Sequence, residues 1–326
     1  MKSSIQSAAI TIFSRAFFRY YIITMRPYLL FVSGATGTAG MAFSPVISSV
    51  QIWMIFVASF LSYGFGQALT DCFQIDTDTR SSPYRPLTRG LVSRFQIGGV
   101  SIIGLIFCVS VFAYYNPSNI ILGIFAGIGL ATYTPFKRMW WSGPFYNAWI
   151  VGVLCIMAFL AGGGILSDII KIPNIFIVIT VFFGYANFVL SGYFKDIEAD
   201  RPTGYRTFPV VYGRAAAAIA SDVLALLFIT SAVLTFAFSG EGYVQLLFPS
   251  LFLLIGFGAI ILGQVRLHRV QTDKGAHAAI VPVVHSYILI LTGLSVLQRQ
   301  TWIIPLLIFY GFFVLVMQLR PTQDQV

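Results

Sequence analysis

The sequence has very little charge for its length. Of its 326 residues only 10% are charged, and Asp and Glu together number eleven. A mean hydropathy of +0.84 and an aromatic content of 16% exclude an ordinary water-soluble domain. Cysteine is also scarce. Cys72, Cys108 and Cys155 lie in or beside apolar segments without paired spacing, which argues against a disulfide framework or a cysteine metal site.

Long apolar runs make up most of the chain. A bilayer core about 30 Å thick requires roughly 20 apolar residues per helix. Ten runs approach or exceed that length: 20–43, 48–69, 96–115, 118–135, 145–165, 173–194, 215–238, 244–264, 278–297 and 301–319. No long polar stretch separates them. The sequence therefore predicts an all-α membrane protein, a bundle of nine to ten transmembrane helices that forms one domain over residues 20–326.

The basic residues are distributed unevenly between the loops. Eighteen of the twenty Lys and Arg residues fall on one side of the predicted bundle, which leaves only Lys171 and Arg299 on the other. The positive-inside rule makes the rich side cytoplasmic, and ten crossings put both termini there. Because topology accounts for the net charge of +9, we expect no nucleic-acid partner.

The N-terminal segment, residues 1–19, contains no acidic residue, several serines and three basic residues. This composition is compatible with a transit peptide and with an amphipathic segment on the cytoplasmic membrane surface. We favour the second interpretation because it requires no cleavage. It predicts an interfacial segment whose membrane contacts are Ile10, Phe13, Phe17 and Phe18.

Six of the eleven acidic residues form two short clusters, and the first cluster follows the second apolar run. On an α-helix, residues at i, i+3 and i+7 lie on nearly the same face. Asp71, Gln74 and Asp78 should therefore face one site, whereas Asp76 points away. Carboxylate and amide oxygens suit Mg²⁺, so we predict the first three as metal ligands and keep Asp76 as a further candidate.

A basic loop with two prolines follows this cluster. Pro83 and Pro86 force an extended or turning backbone, and arginine binds phosphate oxygens in bidentate fashion. Arg80, Arg85 and Arg89 are therefore placed to face a phosphate. A solvated loop that only sets the topology would contain the same arginines.

The second cluster follows the sixth run and comprises Asp196, Glu198 and Asp200. Asp196 and Asp200 are i,i+4 neighbours and would share one helix face, where a divalent cation between them would relieve their repulsion. Lys195 is placed to contact a phosphate, and Glu198 would face water. Since both clusters lie on the cytoplasmic side, we expect them to meet in an active site at the cytoplasmic mouth of a central cavity.

At these residues the chain resembles the UbiA family of membrane prenyltransferases. The family's first motif is Asn-Asp-x-x-Asp-x-x-x-Asp followed by Pro-x-Arg-Pro, and its second is Lys-Asp-x-x-x-Asp followed by Gly and a Thr/Ser-Leu-Pro-Val stretch. The matching positions are Asp71, Asp78, Pro83, Arg85, Pro86, Lys195, Asp196, Asp200, Gly204, Thr207, Pro209 and Val210. Arg26-Pro27, Tyr133-Thr134-Pro135 and Asn147 fit the family as well.

The chain departs from the family at three motif positions. Thr70 stands where Asn is usual, Gln74 where the middle Asp is usual, and Ala199 where Gly is common. The family usually has nine helices. Loss of one carboxylate weakens metal binding by the first motif, and Asp76 is placed to compensate.

The resemblance implies Mg²⁺-dependent ionisation of an isoprenoid diphosphate, followed by transfer of the prenyl chain to an aromatic or other lipophilic acceptor. The catalytic residues that it implies are Asp71, Asp78, Asp196, Asp200 and Lys195, the acids acting through the metal. The implied diphosphate-binding residues are Arg85, Lys137, Arg138, Gln74 and Tyr193. Membrane lipid is the remaining partner, since a membrane cavity dissolves the prenyl tail and keeps water away from the allylic cation.

Two alternatives stay open at this point. A UbiA-type terpene cyclase, in which a double bond of the same chain attacks the cation, is suggested by the altered first motif. A transporter that uses the acids as an ion path fits less well, because the acids lie at one membrane face and not at mid-depth. The Lys-Asp-x-Glu-x-Asp-Arg stretch resembles the tetrapyrrole, homogentisate and archaeal lipid branches of the family more than its 4-hydroxybenzoate branch.

Overall fold

The computed structural model describes residues 10–45, 48–239 and 246–319. This part of the chain consists of α-helices joined by turns and short 3₁₀ segments, and it contains no β-strand. The helices are α1 (Arg15–Met25), α2 (Leu30–Ala42), α3 (Ser49–Asp71), α4 (Ile75–Ser81), α5 (Arg94–Tyr115), α6 (Asn119–Lys137), α7 (Gly143–Ala161), α8 (Asn174–Gly192), α9 (Ile197–Asp200), α10 (Phe208–Phe238), α11 (Leu247–Leu267), α12 (His277–Gln298) and α13 (Ile303–Leu319).

Nine segments of the described chain are long and apolar enough to cross a membrane. They correspond to nine of the ten predicted runs, so the prediction of an integral, multi-pass helical protein is confirmed. They contain α3, α5, α6, α7, α8, α10, α11, α12 and α13. Residues on their outer faces, such as Ile103, Leu254 and Ile304, expose more than half of their side-chain surface, as expected for helices that contact lipid.

The first predicted run, 20–43, differs from the others because it is broken. Helix α1 ends at Met25, Arg26 adopts a left-handed conformation (φ 53°), and Pro27 opens a 3₁₀ turn that leads into α2. Proline lacks an N–H and disfavours a helical conformation in the residue before it. The thirteen residues of α2 are all buried, and they are too few to span a bilayer core alone at about 1.5 Å of rise per residue.

The centre of the bundle is α12, which packs against α11, α8 and α2. Its buried residues include Tyr287, whose hydroxyl lies 2.8 Å from the Thr36 Oγ1 of α2. At the end remote from the acidic clusters, Arg299 donates from Nε to the Ala42 carbonyl oxygen (3.2 Å). This bond joins the end of α2 to the turn between α12 and α13, so α2 runs through the bundle in spite of its shortness.

Helix α1 only partly matches the predicted interfacial segment. Phe13 and Phe18 are exposed, but Phe17 is buried and packs with Tyr21 in a cluster that includes Ile97 of α5. Phe17 was therefore wrongly predicted to contact the membrane, because the helix turns it inward. Residues 1–9 lie outside the described residues, α1 crosses the boundary drawn at residue 19, and the interfacial role of the segment stays a prediction.

Helices α2 and α7 approach each other closely at Gly40. A Cβ atom added there would lie 2.2 Å from the Cys155 carbonyl oxygen, a backbone atom that cannot move aside. Small residues at such crossings allow membrane helices to pack backbone against backbone. The position of α2 between α3, α7 and α12 therefore depends on this glycine.

We predict that Gly40→Ala destabilises the protein, because the added methyl group forces α2 away from α7, at a cost of about 1–3 kcal/mol. Gly258→Ala in α11 is the matched control, since a Cβ there meets no atom within 4 Å. The midpoint of thermal unfolding of the purified protein in detergent should fall for Gly40→Ala only. Equal midpoints for the two variants would contradict the close approach.

Candidate active site

One cavity of about 220 Å³ connects the two acidic clusters. Its walls come mainly from α3, α5, α6, α7 and α8. One end is polar, and the charged residues that line it are Arg26, Asp71, Asp78, Arg85, Lys137, Lys195 and Asp196. The other end is lined by apolar residues of α5, α6 and α7. We call the polar end the mouth.

The first acidic cluster lies at the mouth, and the helix that contains it is broken within the cluster. Helix α3 ends at Asp71 and α4 begins at Ile75, so residues 71–78 do not form the single regular helix that the spacing assumed. The predicted grouping nevertheless holds, because Asp71, Gln74 and Asp78 all line the cavity.

Asp71 is held by the residue at which the first apolar run is interrupted. The Arg26 Nη2 atom donates to Asp71 Oδ1 and Oδ2, both at 3.0 Å, and Gln67 Nε2 donates to Asp71 Oδ1 at 2.6 Å. The Asp71 side chain is almost completely buried. A buried carboxylate requires such partners, since removing one of them costs about 3–5 kcal/mol.

Asp78 is paired with the arginine of the proline-containing loop. Arg85 Nη1 lies 2.7 Å from Asp78 Oδ2 and 4.0 Å from Asp71 Oδ2. Arg85 therefore lies between the two carboxylates of the first motif. Arg85, which was predicted to bind the diphosphate, lies at the mouth, and in this structure its positive charge faces these two carboxylates.

Gln74 is bonded to the lysine at the end of α6. Lys137 Nζ donates to Gln74 Oε1 at 2.8 Å, and both residues are buried. The Lys137 ammonium group also lies 5.8 Å from the ring centre of Tyr193, within the range of a cation–π contact. The Tyr193 hydroxyl lies 3.0 Å from that of Tyr133, so this ring forms part of a polar wall.

The two carboxylates of the second motif do not share one face, which is a correction to the sequence-based prediction. Asp196 lines the cavity beside Lys195, whereas Asp200 is completely buried and is not among the lining residues. The i,i+4 argument assumed a regular helix. Asp196 instead precedes α9 with a non-helical backbone (φ −116°, ψ 6°), and α9 is only four residues long.

Asp200 joins the two motif loops. Its Oδ1 accepts a hydrogen bond from Thr77 Oγ1 (3.1 Å), and its Oδ2 accepts one from Thr207 Oγ1 (3.4 Å). Burial raises the pKa of Asp200 to about 6, and the nearby Lys137 cation opposes that rise. Asp200 is therefore placed to fix α4 relative to α9.

A second link between the motifs lies on the outer side of the site, where Asp76 contacts both Tyr205 and Arg138. Arg138 Nη2 lies 2.6 Å from Asp76 Oδ2, and the guanidinium carbon lies 4.5 Å from the ring centre of Tyr205. The Tyr205 hydroxyl donates to Asp76 Oδ1 at 3.3 Å. The structure thus does not bring Arg138 into the cavity with Lys137, because the exposed Asp76 carboxylate pairs with it instead.

Comparison with known proteins identifies the family of this chain. The sequence profile of the UbiA prenyltransferase family matches residues 29–281. The chain belongs to the UbiA prenyltransferase family. It is an intramembrane prenyltransferase, and the transporter hypothesis is set aside.

The relatives of this prenyltransferase include archaeal enzymes. It is 25% identical over 260 residues to the digeranylgeranylglyceryl phosphate synthase of Thermococcus kodakarensis, covering 78% of this chain and 92% of that one. It is 26% identical over 220 residues to the Pyrococcus furiosus protein of the same name, covering 66% of this chain and 76% of that one.

Solved structures of UbiA homologues have the same fold. A homologue from Aeropyrum pernix superposes with a TM-score of 0.66 at 17% identity, covering 79% of this chain and 94% of that one. A homologue from Archaeoglobus fulgidus, bound to GPP and Mg²⁺, superposes with a TM-score of 0.62 at 18% identity, covering 83% of this chain and 99% of that one.

The mouth of this prenyltransferase has the donor atoms that Mg²⁺ prefers. Asp71, Asp78 and Asp196 present carboxylate oxygens, and a carboxylate offers about four lone-pair sites, so Arg26 and Arg85 do not use up the capacity of the first two. Among the described residues, no three His, Cys, Asp or Glu side chains form a complete metal site. A bound Mg²⁺ ion would therefore take further ligands from substrate phosphates and water, as is usual for this ion.

Sequence reasoning missed several residues of this prenyltransferase that hold the motif acids. Arg26 was noted only for its fit to the family, and Gln67, Thr77 and Tyr205 were not singled out. A charged residue followed by proline inside an apolar run is a detectable signal for Arg26. The others carry no local signal, because their partners lie in distant segments.

We predict that Gln74→Leu destabilises the protein and lowers prenyl transfer, because it leaves the buried Lys137 ammonium without its acceptor, at a cost of about 1–3 kcal/mol. Gln74→Asp keeps an acceptor oxygen and restores the usual family residue. It should be tolerated or activating. Thermal unfolding and initial rates of both variants test this pair, and a Gln74→Leu protein that equals the wild type in both would contradict the role of the bond.

Proposed function

We propose that this enzyme transfers a prenyl group, with the help of Mg²⁺, from an isoprenoid diphosphate to a lipophilic acceptor. One observation carries the proposal: a single cavity has carboxylates and cations at its mouth and apolar side chains behind them. This order matches a substrate with a diphosphate head and a hydrocarbon tail.

The charged residues of the mouth suit the leaving group. Arg85, Lys137 and Lys195 line it together with Arg26, and these cations would bind the diphosphate oxygens. Mg²⁺, when bound to the carboxylates, would neutralise the charge that develops on the diphosphate. Stabilising that charge supports the cleavage step.

The proposed reaction breaks the bond between the first prenyl carbon and the diphosphate oxygen, and the diphosphate keeps the electron pair. The acceptor then donates an electron pair to that carbon and loses a proton. The rings of Tyr133 and Tyr193 line the cavity next to Lys137, where their faces would stabilise the allylic cation.

A smaller cavity beside the mouth supports an acceptor that carries negative charge. This cavity of about 80 Å³ shares Arg26 and Lys195 with the main one and is also lined by His277. The relatives named digeranylgeranylglyceryl phosphate synthase support a phosphate-bearing lipid as acceptor. An aromatic acid has the same combination of anionic and lipophilic groups and is the second acceptor to test.

We predict that Asp196→Ala and Asp200→Ala abolish diphosphate release, the first by removing a cavity carboxylate and the second by removing the Thr77–Thr207 link between the motif loops. Glu198→Ala is the matched control, because this acid of the same motif is exposed. Purified protein would be incubated with Mg²⁺ and geranylgeranyl diphosphate, together with geranylgeranylglyceryl phosphate or 4-hydroxybenzoate. Released diphosphate and prenylated product would both be measured.

Three outcomes decide between the alternatives. Full turnover by Asp200→Ala would contradict the role of the Thr77–Thr207 link, and activity in excess EDTA would contradict the requirement for Mg²⁺. A cyclised hydrocarbon formed without acceptor would favour the terpene cyclase over transfer.

We also propose that the mouth faces the cytoplasm, as the positive-inside rule favours. The termini themselves lie outside the described residues. In a background that lacks the native cysteines, Arg89→Cys and Lys171→Cys place one thiol in an exposed loop on each side. A membrane-impermeant maleimide applied to sealed inside-out vesicles should label Arg89→Cys and spare Lys171→Cys; the reverse pattern would invert the topology.

A further inference from the structure

An acid outside both motifs contacts the second motif. Asp273 lies in the loop between α11 and α12, 75 positions after Glu198 in the sequence. Its Oδ2 atom accepts a hydrogen bond of 2.7 Å from the main-chain N–H of Glu198. Its Oδ1 atom accepts one of 2.5 Å from Arg214 Nη2, near the beginning of α10. One carboxylate therefore joins the α11–α12 loop, the second motif and α10.

The bond to Glu198 satisfies a group that the helix itself leaves without a partner. Glu198 is the second residue of α9, and the first N–H groups of a helix find no acceptor within it. The Glu198 side chain, by contrast, is 74% exposed. The part that position 198 takes in this contact is therefore that of its backbone, and Asp273 supplies the acceptor.

The side chain of Asp273 serves α9 and not the helical turn next to it. Asp273 directly precedes the 3₁₀ turn Lys274–Ala276, where an aspartate commonly caps the first N–H groups, but its side chain bonds to α9 instead. Its main-chain carbonyl accepts from the Ala276 N–H (3.2 Å), and Val270 and Ala276 are buried on either side of it. The loop is therefore anchored, and its carboxylate is a fixed point for α9.

The Asp273 carboxylate is largely shielded from water. Its side chain is only 13% exposed, and that of Arg214 is 28% exposed. Burial raises the pKa of Asp273, and the Glu198 N–H and the Arg214 cation oppose that rise. Arg214 directly follows Gly213, where α10 is interrupted by a backbone conformation that glycine adopts readily (φ 83°, ψ 169°). Because both carboxylate oxygens are bonded in a partly buried place, the contact is costly to break.

This contact holds one end of the helix that follows Asp196. Asp196 directly precedes α9, its carbonyl oxygen accepts from the Asp200 N–H at 2.8 Å, and its carboxylate lines the mouth. The far end of α9 is held by the bonds from Thr77 and Thr207 to Asp200. Asp273 holds the near end. A four-residue helix has little stability of its own, so the direction of the Asp196 side chain depends on both anchors.

We propose that Asp273 is a positioning residue for prenyl transfer, which fixes the start of α9 so that the Asp196 carboxylate is directed at the Mg²⁺ ion in the mouth. Asp273 itself lines neither cavity and acts through the main chain of Glu198. This inference rests on the proposed function, because it assumes that Mg²⁺ binds at the mouth.

The test separates the hydrogen bond of Asp273 from its charge. Asp273→Ala removes both, whereas Asp273→Asn removes the same charge but keeps an amide oxygen that can accept from the Glu198 N–H. Asp222→Ala is the matched control, because that acid of α10 pairs with His268 and is 41% exposed. Two quantities would be measured: the Mg²⁺ concentration that gives half-maximal diphosphate release, and the rate of amide hydrogen exchange in α9 without substrate.

Asp273→Ala should raise the half-saturating Mg²⁺ concentration about tenfold, as the loss of a group that orients a metal ligand usually does. It should also accelerate hydrogen exchange of the Glu198 amide about tenfold or more. Asp273→Asn should stay within about threefold of the wild type in both quantities, because the acceptor is retained. Asp222→Ala should change neither.

Equal shifts in the Asp273→Asn and Asp273→Ala proteins would assign the effect to charge and overturn the inference. Unchanged exchange in Asp273→Ala would overturn it as well, because the bond would then not hold α9. Faster exchange with an unchanged Mg²⁺ requirement would also overturn it, since α9 would then not place Asp196 for the metal. If the wild type releases no diphosphate, the proposed function fails, and the exchange rates still decide whether Asp273 holds α9.

Discussion

The ion pair between Arg26 and Asp71 is the interaction on which the site depends. Arg26 can reach Asp71 only because the first apolar run breaks at Arg26-Pro27, where the residue takes a left-handed conformation. That conformation costs about 1–3 kcal/mol, which is less than the roughly 3–5 kcal/mol for leaving a buried partner unpaired. This one contact therefore joins the break before the short α2 to the end of α3.

The acids of the two motifs lie in different surroundings. Asp71, Asp78 and Asp196 face the cavity, whereas Asp200 and Asp76 bond to residues of the opposite motif and hold the two loops together. Burial raises the pKa of Asp200 to about 6 and the nearby Lys137 cation opposes that rise, so the carboxylate is still mostly charged at neutral pH. Motif spacing alone does not distinguish an acid that faces the cavity from one that joins the two loops.

Much of the fold was predictable, because the membrane-spanning helices follow from apolar runs in the sequence. The loop charges indicate the topology, and neither signal requires knowledge of tertiary contacts. The first-motif face of Asp71, Gln74 and Asp78 was also predictable, although the helix between them is broken. The inward turn of Asp200 was not, because the i,i+4 rule holds only inside a regular helix and α9 is four residues long. Phe17 and Arg138 were misplaced because their partners, Ile97 and Asp76, come from segments distant in sequence.

Helix α6 runs along the cavity from its polar end to its apolar end. Its C-terminal Lys137 lies at the mouth, and Gly127 and Gly123 line the apolar end. With Gln74 in place of the usual Asp, Lys137 bonds to a neutral oxygen, so its positive charge is less compensated than an aspartate would leave it. The mouth is therefore more attractive to an anion in the absence of metal. Gln74 therefore leaves the surroundings of Lys137 with one negative charge fewer than the usual family residue would.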